Sequence, residues 1–138
     1  MGQDLFLDTC AVLWLANGDD LDPEALAAIE SAASAGGRVH ISAITAWEVA
    51  MLESRGRLSL SMPVEAWFAR VTGLPGLAVE PLSPDVLIRS TRLPGAPPSD
   101  PADRMIIAAA RERGATLVTR DRAILDYGAS GHVSVMRC

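Results

Sequence analysis

Four acidic residues of the sequence occupy positions that an α/β fold would bring together. Asp8 follows the apolar stretch LFL, and Asp121 comes two residues after the apolar stretch TLVT. Asp103 lies at the start of the helical stretch ADRMIIAAARER. Glu48 lies in AITAWEVAML, on the same helical face as the apolar Ile44. A carboxylate on an apolar face needs a partner, because burying an unpaired charge is costly.

One edge of the sheet should collect these carboxylates, because ligand sites of open α/β sheets lie beyond the carboxyl ends of the strands. Two carboxylates about 4 Å apart repel each other by roughly 4 kcal/mol at an effective dielectric constant near 20. A cation is therefore expected among them. The chain has two histidines and two cysteines without CxxC spacing, so oxygen ligands remain, and they favour Mg²⁺ or Mn²⁺.

Each acid also has an ordinary structural explanation. Asp8 or Asp121 could be a turn former at a strand end. Asp103 could complement a helix dipole, and Glu48 could pair with an arginine in the core. Asp100 is better explained as the N-cap of its helix than as part of a site. Taken together, these separate explanations are less convincing, because the α/β topology brings Asp8, Glu48, Asp103 and Asp121 to one edge of the sheet.

Strand-like and helical segments alternate along the chain, which predicts a three-layer α/β domain around a parallel sheet. A length of 138 residues suits one domain, residues 1–138. Strands are expected at LFLD, RVHIS, LAVEPL, ATLVT and HVSVM. Helices are expected at CAVLWLA, from Asp22 to Gly36 and Gly37, at AITAWEVAMLESR, from Pro63, at SPDVLIRSTRL and at ADRMIIAAARERG. Core packing is the expected role of the helical aromatic residues Trp47, Trp67 and Phe68.

The composition limits which partners and which cellular location are expected for the protein. The net charge of −5 would count against nucleic acid as a partner. All twelve basic residues are arginine, and the chain has no lysine. No apolar run approaches the roughly 18 residues of a membrane span, and the first residues lack a basic leader pattern. We therefore expect a cytoplasmic protein without a membrane partner.

Four segments resemble the acidic motifs of PIN-domain nucleases, specifically VapC-type toxins of bacterial toxin-antitoxin pairs. They are LFLDTCAVLW, ISAITAWEVAML, DPADRMIIAAA and TLVTRD, and their order and spacing cover nearly the whole chain. The resemblance implies a five-stranded parallel sheet and Mg²⁺-dependent endoribonuclease activity. It assigns the catalytic quartet to Asp8, Glu48, Asp103 and Asp121. Asp8, Asp103 and Asp121 are expected to ligate the metal, and Glu48 is expected to orient either the attacking water or an outer-shell ligand of the metal.

The same resemblance implies partners: an RNA substrate, a VapB-type antitoxin and a second copy of the chain in a homodimer. The helices that carry Trp47, Trp67 and Phe68 resemble the antitoxin-binding groove of the family, so the alternative to core packing is that part of this stripe is open to a partner helix. Thr9 and Thr119 match hydroxyl positions that could hydrogen-bond the metal-ligating carboxylates. Arginines near the acids and after the Glu48 helix could contact the RNA backbone, although an ordinary solvated surface charge is the preferred explanation for them: Arg104, Arg120, Arg122, Arg55 and Arg57.

Several rival functions are disfavoured by missing residues. A receiver domain requires a lysine near its aspartates, and the chain has none. A haloacid-dehalogenase phosphatase requires D-x-D after the first strand, whereas Asp8 is followed by Thr9 and Cys10. Nucleotide-binding motifs of the GxGxxG and GK[ST] types are absent from the sequence. The remaining alternative is a PIN fold that only binds partners and whose metal site is idle.

Overall fold

Five short parallel strands form the centre of the structure, a computed structural model that describes residues 3–18, 21–34 and 38–138. The strands are β1 (Leu5–Leu7), β2 (Val39–Ser42), β3 (Leu77–Glu80), β4 (Thr116–Thr119) and β5 (Val135–Arg137). Their order in the sheet is β3-β2-β1-β4-β5, and every neighbouring pair is parallel. The predicted five-stranded parallel sheet is confirmed.

Seven helices of the described residues cover the two faces of this sheet. They are α1 (Thr9–Asn17), α2 (Pro23–Ser34), α3 (Ala43–Ser54), α4 (Val64–Thr72), α5 (Pro84–Ser90), α6 (Pro101–Arg113) and α7 (Arg122–Ala129). Among the parts of the chain that the structure describes, no helix has the length and apolar character needed to cross a membrane.

Two separate hydrophobic cores follow from the period-two alternation of strand side chains. Leu5 and Leu7 of β1 point into a core closed by α1, α2 and α4, whereas Phe6 points into a core closed by α5, α6 and α7. The central strands are fully buried. Each face of the sheet therefore has its own layer of helices, which is the predicted three-layer arrangement.

Helix α3 runs between the two cores, and this position corrects the expectation for Trp47. Val49 belongs to the first core, and Ile44 packs against the second. The side chain of Trp47 points away from both, and 54% of it is exposed. Trp67 is buried as predicted, and Phe68 is half-buried. The apolar stripe of α3 therefore did not predict its buried face. A helix that lies between two cores buries one narrow stripe of side chains against each core.

Some elements differ from the sequence patterns, and one predicted helix end lies outside the described residues. Helix α7 occupies residues 122–129, for which the patterns above predicted no element. Strand β5 begins later than the segment HVSVM suggested. Asp22 accepts a hydrogen bond from the backbone N–H of Glu24 at the start of α2, as an N-cap does, but the predicted end of this helix at Gly36 and Gly37 lies outside the described residues.

Gly76 is required where the chain enters β3 beside α2. Its φ is +83°, and a Cβ atom there would lie 2.6 Å from the Cα atom of Ala33. Gly56 also has a positive φ, +69°, but a Cβ atom there would meet nothing within 4 Å. A side chain at Gly56 would therefore cause backbone strain alone, whereas a side chain at Gly76 would cause both backbone strain and a steric clash.

We expect Gly56→Ala to lower the free energy of unfolding by about 1 kcal/mol, the usual cost of a left-handed residue with a side chain. Gly76→Ala should cost at least about twice as much, because α2 must also move. Urea denaturation of the two variants and the wild type measures the difference. Equal losses for both variants would contradict the close packing of α2 against Gly76.

Candidate active site

The four predicted site residues lie around the carboxyl edge of the sheet, where the strand order reverses at β1. Asp8 directly follows β1, and Asp121 lies two residues beyond β4. Helix α3, which carries Glu48, begins directly after β2. Asp103 lies in the first turn of α6. This is the position at which open α/β sheets bind ligands.

Asp8 is the most enclosed of these acids, with only 4% of its surface exposed. One oxygen, Oδ1, accepts a hydrogen bond of 2.8 Å from the backbone N–H of Ala11 and so caps α1. The other, Oδ2, accepts a hydrogen bond from the hydroxyl of Thr119. The Thr119 oxygen in turn accepts from the backbone N–H of Asp121 at 3.0 Å. Thr119 therefore links the first acid of the quartet to the last.

Glu48 is half-buried and is contacted by a hydroxyl group instead of an arginine. Thr9 donates a hydrogen bond to Oε1 of Glu48. The Thr9 oxygen also lies 3.1 Å from the hydroxyl oxygen of Thr45, which is fully buried in the same helix as Glu48. Thr9 is one of the two predicted hydroxyl positions, whereas Thr45 was not predicted from the sequence. The signal was the spacing of Thr45 and Glu48, because residues three apart share a helix face.

Asp100 and Asp121 are helix caps as well as acids near the site. Asp100 accepts a hydrogen bond of 2.9 Å from the backbone N–H of Asp103, which supports its interpretation as the cap of α6. Asp121 accepts one of 3.0 Å from the backbone N–H of Ile124 and caps α7. Each cap uses one carboxylate oxygen, Oδ1, in these contacts. No hydrogen bond from a described residue reaches the other oxygen, Oδ2, of either side chain, so this oxygen can take a further ligand.

The charges of this cluster act on one another. Burial, followed by the repulsion of Asp100, Asp121, Glu48 and Asp8, raises the pKa of Asp103 to about 7. Burial is also the main cause that raises the pKa values of Asp8 and Glu48, and the hydrogen bonds from Thr119 and Thr9 oppose it.

The thiol of Cys10 reports the same field, because desolvation and the negative charges of the whole quartet raise its pKa to about 11. Four carboxylates that all influence one thiol lie around a common region.

No arginine or histidine of the described residues forms an ion pair with Asp8, Glu48, Asp103 or Asp121. The ion pairs of these ranges lie elsewhere: His40 with Asp4 and Glu80, Arg113 with Glu80, Arg89 with Glu112, and Arg122 with Asp126. The alternative in which Glu48 pairs with an arginine inside the core is therefore wrong.

The arginines next to the acids in sequence have other contacts. Arg104 donates to the backbone carbonyl of Pro98 at 2.6 Å. The guanidinium of Arg120 lies 3.8 Å from the ring centre of Trp14 and donates to the carbonyl of Cys138. Sequence neighbours on a helix or beyond a strand point in different directions, which explains why these cations do not neutralise the adjacent carboxylates.

The donor set suits a hard divalent cation. All four side chains offer oxygen, and in the described ranges no cationic side chain balances their charge within ion-pair distance. Burial and mutual repulsion disfavour the ionised form of Asp103, and a bound cation would reverse this. No three His, Cys, Asp or Glu side chains of these ranges form a coordinating group as they stand. Metal binding therefore requires the unfixed carboxylates to turn toward one centre.

The raised pKa of Asp103 predicts an unusual dependence of stability on pH. An acid whose pKa is higher in the folded than in the unfolded protein makes folding less favourable as the pH rises between the two values. For Asp103 this window runs from its ordinary value of 3.8 to about 7. In EDTA, we expect a higher melting temperature at pH 5.5 than at pH 7.5, and a smaller difference in Asp103→Asn.

Asp126→Asn serves as the control, because Asp126 is an exposed acid of α7 whose ion pair with Arg122 is solvated. It should leave the pH dependence unchanged. A wild-type melting temperature that rises from pH 5.5 to pH 7.5 would contradict the prediction. Thermal unfolding followed by circular dichroism is sufficient for the measurement.

Comparisons with known proteins agree with this geometry. A family model described as the PIN domain matches residues 5–129. Ribonuclease VapC22 of Mycobacterium tuberculosis (strain ATCC 25618 / H37Rv) is 34% identical over 117 residues, which are 85% of this chain and 85% of the relative.

Two solved structures share the fold at low sequence identity. The VapBC2 complex of Rickettsia felis, bound to a DNA fragment from its promoter, has a TM-score of 0.68 at 15% identity and covers 98% of both chains. VapC20 of Mycobacterium tuberculosis, a toxin that cleaves the sarcin-ricin loop, has a TM-score of 0.58 at 22% identity over 96% of this chain and 98% of the other. The chain therefore belongs to the PIN-domain family, with a VapC ribonuclease among its relatives.

Proposed function

We propose that this chain is a metal-dependent endoribonuclease that hydrolyses RNA phosphodiester bonds and acts as the toxin of a VapBC-type pair. The observation that carries the proposal is the cluster of four carboxylates that forms no ion pair with any described side chain. RNA as the substrate is supported by two similar proteins, one named a ribonuclease and one a toxin that cleaves the sarcin-ricin loop.

The residues divide into those that would hold the metal and one that would act on water. Asp8, Asp103 and Asp121 would hold Mg²⁺, or Mn²⁺ in its place. When bound, the metal supplies a water of lowered pKa and offsets negative charge on the leaving oxygen. Asp8 enters this site already fixed by Ala11 and Thr119. Asp103 has to give up its proton, because its pKa is about 7 without a cation.

Glu48 is the best placed of the four to orient the attacking water. Its Oε1 is fixed by Thr9, and no donor from the described residues contacts its Oε2. A carboxylate with one fixed oxygen and one available oxygen can accept a hydrogen bond from a water in a defined direction. We therefore assign positioning of the nucleophile to Glu48 and metal ligation to the three aspartates.

The overall negative charge does not exclude an RNA substrate. A bound cation offsets the local field of the carboxylates. Arg55 and Arg57 lie exposed just beyond α3, the helix that carries Glu48. Among the arginines considered for RNA contact, these two are better placed than Arg104 and Arg120, whose guanidinium groups bind the protein itself. We propose that Arg55 and Arg57 contact the RNA backbone.

Protein partners form part of the same proposal. VapBC complexes are among the similar structures, and we propose a VapB-type antitoxin and a homodimer for this chain. Two large apolar side chains, Trp47 on α3 and Ile88 on α5, are 54% and 48% exposed. Trp47 lines an apolar groove of about 350 Å³ beside the acidic cluster. Exposed apolar surface of this kind supports contact with other proteins.

Metal binding should depend on pH through Asp103. With a pKa of about 7, roughly a tenth of Asp103 is ionised at pH 6 and roughly nine tenths at pH 8, so the apparent affinity for Mg²⁺ should be about 10-fold lower at pH 6. Calorimetry in buffers of different ionisation enthalpy should show that Mg²⁺ binding releases nearly one proton per protein at pH 6 and almost none at pH 8. Asp126→Asn should behave as the wild type, whereas an affinity independent of pH would contradict the role of Asp103.

RNA cleavage tests the proposal directly. We expect purified protein to cleave structured RNA in Mg²⁺ and to lose this activity in EDTA. Asp121→Asn should lower the cleavage rate by about 100-fold or more, because a lost metal ligand removes several kcal/mol of transition-state stabilisation. Asn still caps α7, so the fold is retained. Asp126→Asn in the same helix is the matched control and should cleave normally.

The same experiments distinguish a metal-dependent nuclease from a PIN fold that only binds partners. Cleavage that survives both EDTA and Asp121→Asn would overturn the metal mechanism. A wild-type protein that binds neither Mg²⁺ nor Mn²⁺ and cleaves no RNA would favour the alternative, a PIN fold that only binds partners. Tight metal binding without cleavage of a given RNA would indicate that this RNA is not the substrate.

A further inference from the structure

A buried hydroxyl group lies behind the contact between Thr9 and Glu48. Thr45, the third residue of α3, has no exposed surface, and its Oγ1 lies 3.1 Å from Oγ1 of Thr9. Thr9 is the first residue of α1, and its hydroxyl also contacts Oε1 of Glu48. Because Thr45 and Glu48 lie three residues apart on one helix, a single Thr9 hydroxyl reaches both.

The direction of these hydrogen bonds follows from the number of protons. A threonine hydroxyl has one proton to donate, and an ionised carboxylate can only accept. When Glu48 is ionised, the Thr9 proton therefore goes to Glu48, and Thr45 must donate to the Thr9 oxygen. The chain runs from Thr45 through Thr9 to Glu48. Each bond polarises the next, and the bond to a charged acceptor is the strongest.

We propose that Thr45 is a positioning residue for Glu48 and acts through Thr9. Its hydrogen bond fixes the rotamer of Thr9, which fixes the direction of Oε1 and so aims Oε2 at the attacking water. The inference rests on the proposed function of Glu48 and extends it to a residue that does not touch the substrate. Packing alone does not explain the hydroxyl, because valine has nearly the same shape and avoids burying a polar group.

The first test compares three variants in RNA cleavage at saturating Mg²⁺. Thr45→Val keeps the shape and removes the hydroxyl, and it should lower kcat about 10-fold, the usual scale for a residue that orients a site residue, with little change in KM. Thr45→Ser keeps the hydroxyl and should recover most of kcat. Thr116→Val removes another buried hydroxyl, one that contacts Ser134 at the opposite edge of the sheet, and should leave kcat unchanged.

A double-mutant cycle tests whether Thr45 acts through Thr9. Thr9→Val should lower kcat at least as much as Thr45→Val, and the double variant should lose no more than Thr9→Val alone. Additive losses, or a wild-type kcat in Thr45→Val, would overturn the proposal. If Thr45→Val does not fold, Thr45→Ala replaces it, because it also lacks the hydroxyl and has less bulk to accommodate.

A second readout does not require activity. NMR titration of the Glu48 side-chain carboxyl signal should show a higher pKa in Thr45→Val than in the wild type and in Thr116→Val, because the ionised form loses support from its donor. An unchanged Glu48 titration in Thr45→Val would overturn the positioning role. If the wild type cleaves no RNA, the proposed function fails, and this titration still decides whether Thr45 controls Glu48.

Discussion

Mutual repulsion among carboxylates at one edge of the sheet is the constraint on which the candidate site depends. The structure places Asp8, Glu48, Asp103 and Asp121 around one region, and burial, followed by the repulsion of the acidic neighbours, raises the pKa of Asp103 to about 7. Such an arrangement costs stability in a domain whose total stability is only about 5–15 kcal/mol. A divalent cation bound there would remove this cost, and under the proposed function it would also supply the chemistry of phosphodiester hydrolysis.

The fold fixes these acids with neutral donors instead of opposite charges. Backbone N–H groups at the starts of α1 and α7 fix Asp8 and Asp121, and the Thr119 hydroxyl connects the two. Hydroxyl groups of Thr9 and Thr45 do the same for Glu48. Neutral donors orient a carboxylate without cancelling its charge, so the side chain stays attractive to a metal. An arginine in the same place would have fixed the geometry and removed the function.

Elsewhere the protein does place acidic and basic side chains together. His40 is almost fully buried, with Nε2 3.2 Å from Asp4 and Nδ1 2.8 Å from Glu80, although the latter contact lacks hydrogen-bond geometry. Arg113 also approaches Glu80. The hydrogen bond from His40 holds the pKa of Asp4 below its ordinary value. This paired cluster therefore differs from the quartet, whose four carboxylates form no ion pair with any described arginine or histidine.

The sequence alone determined the alternation of strands and helices and the parallel sheet, because apolar runs, caps and motif spacing are local signals. It also predicted the four acids that the structure brings to the carboxyl edge of this sheet. It did not reveal α7, the exposure of Trp47 or the contact of Thr45 with Thr9. Helix α7 is short, and its N-cap, Asp121, suggested a turn former or a site acid instead of the start of a helix; the other two features depend on how α3 lies between two cores. Sequence spacing defines which residues share a helix face, but only tertiary packing decides which face is buried and which side chains from distant segments meet there.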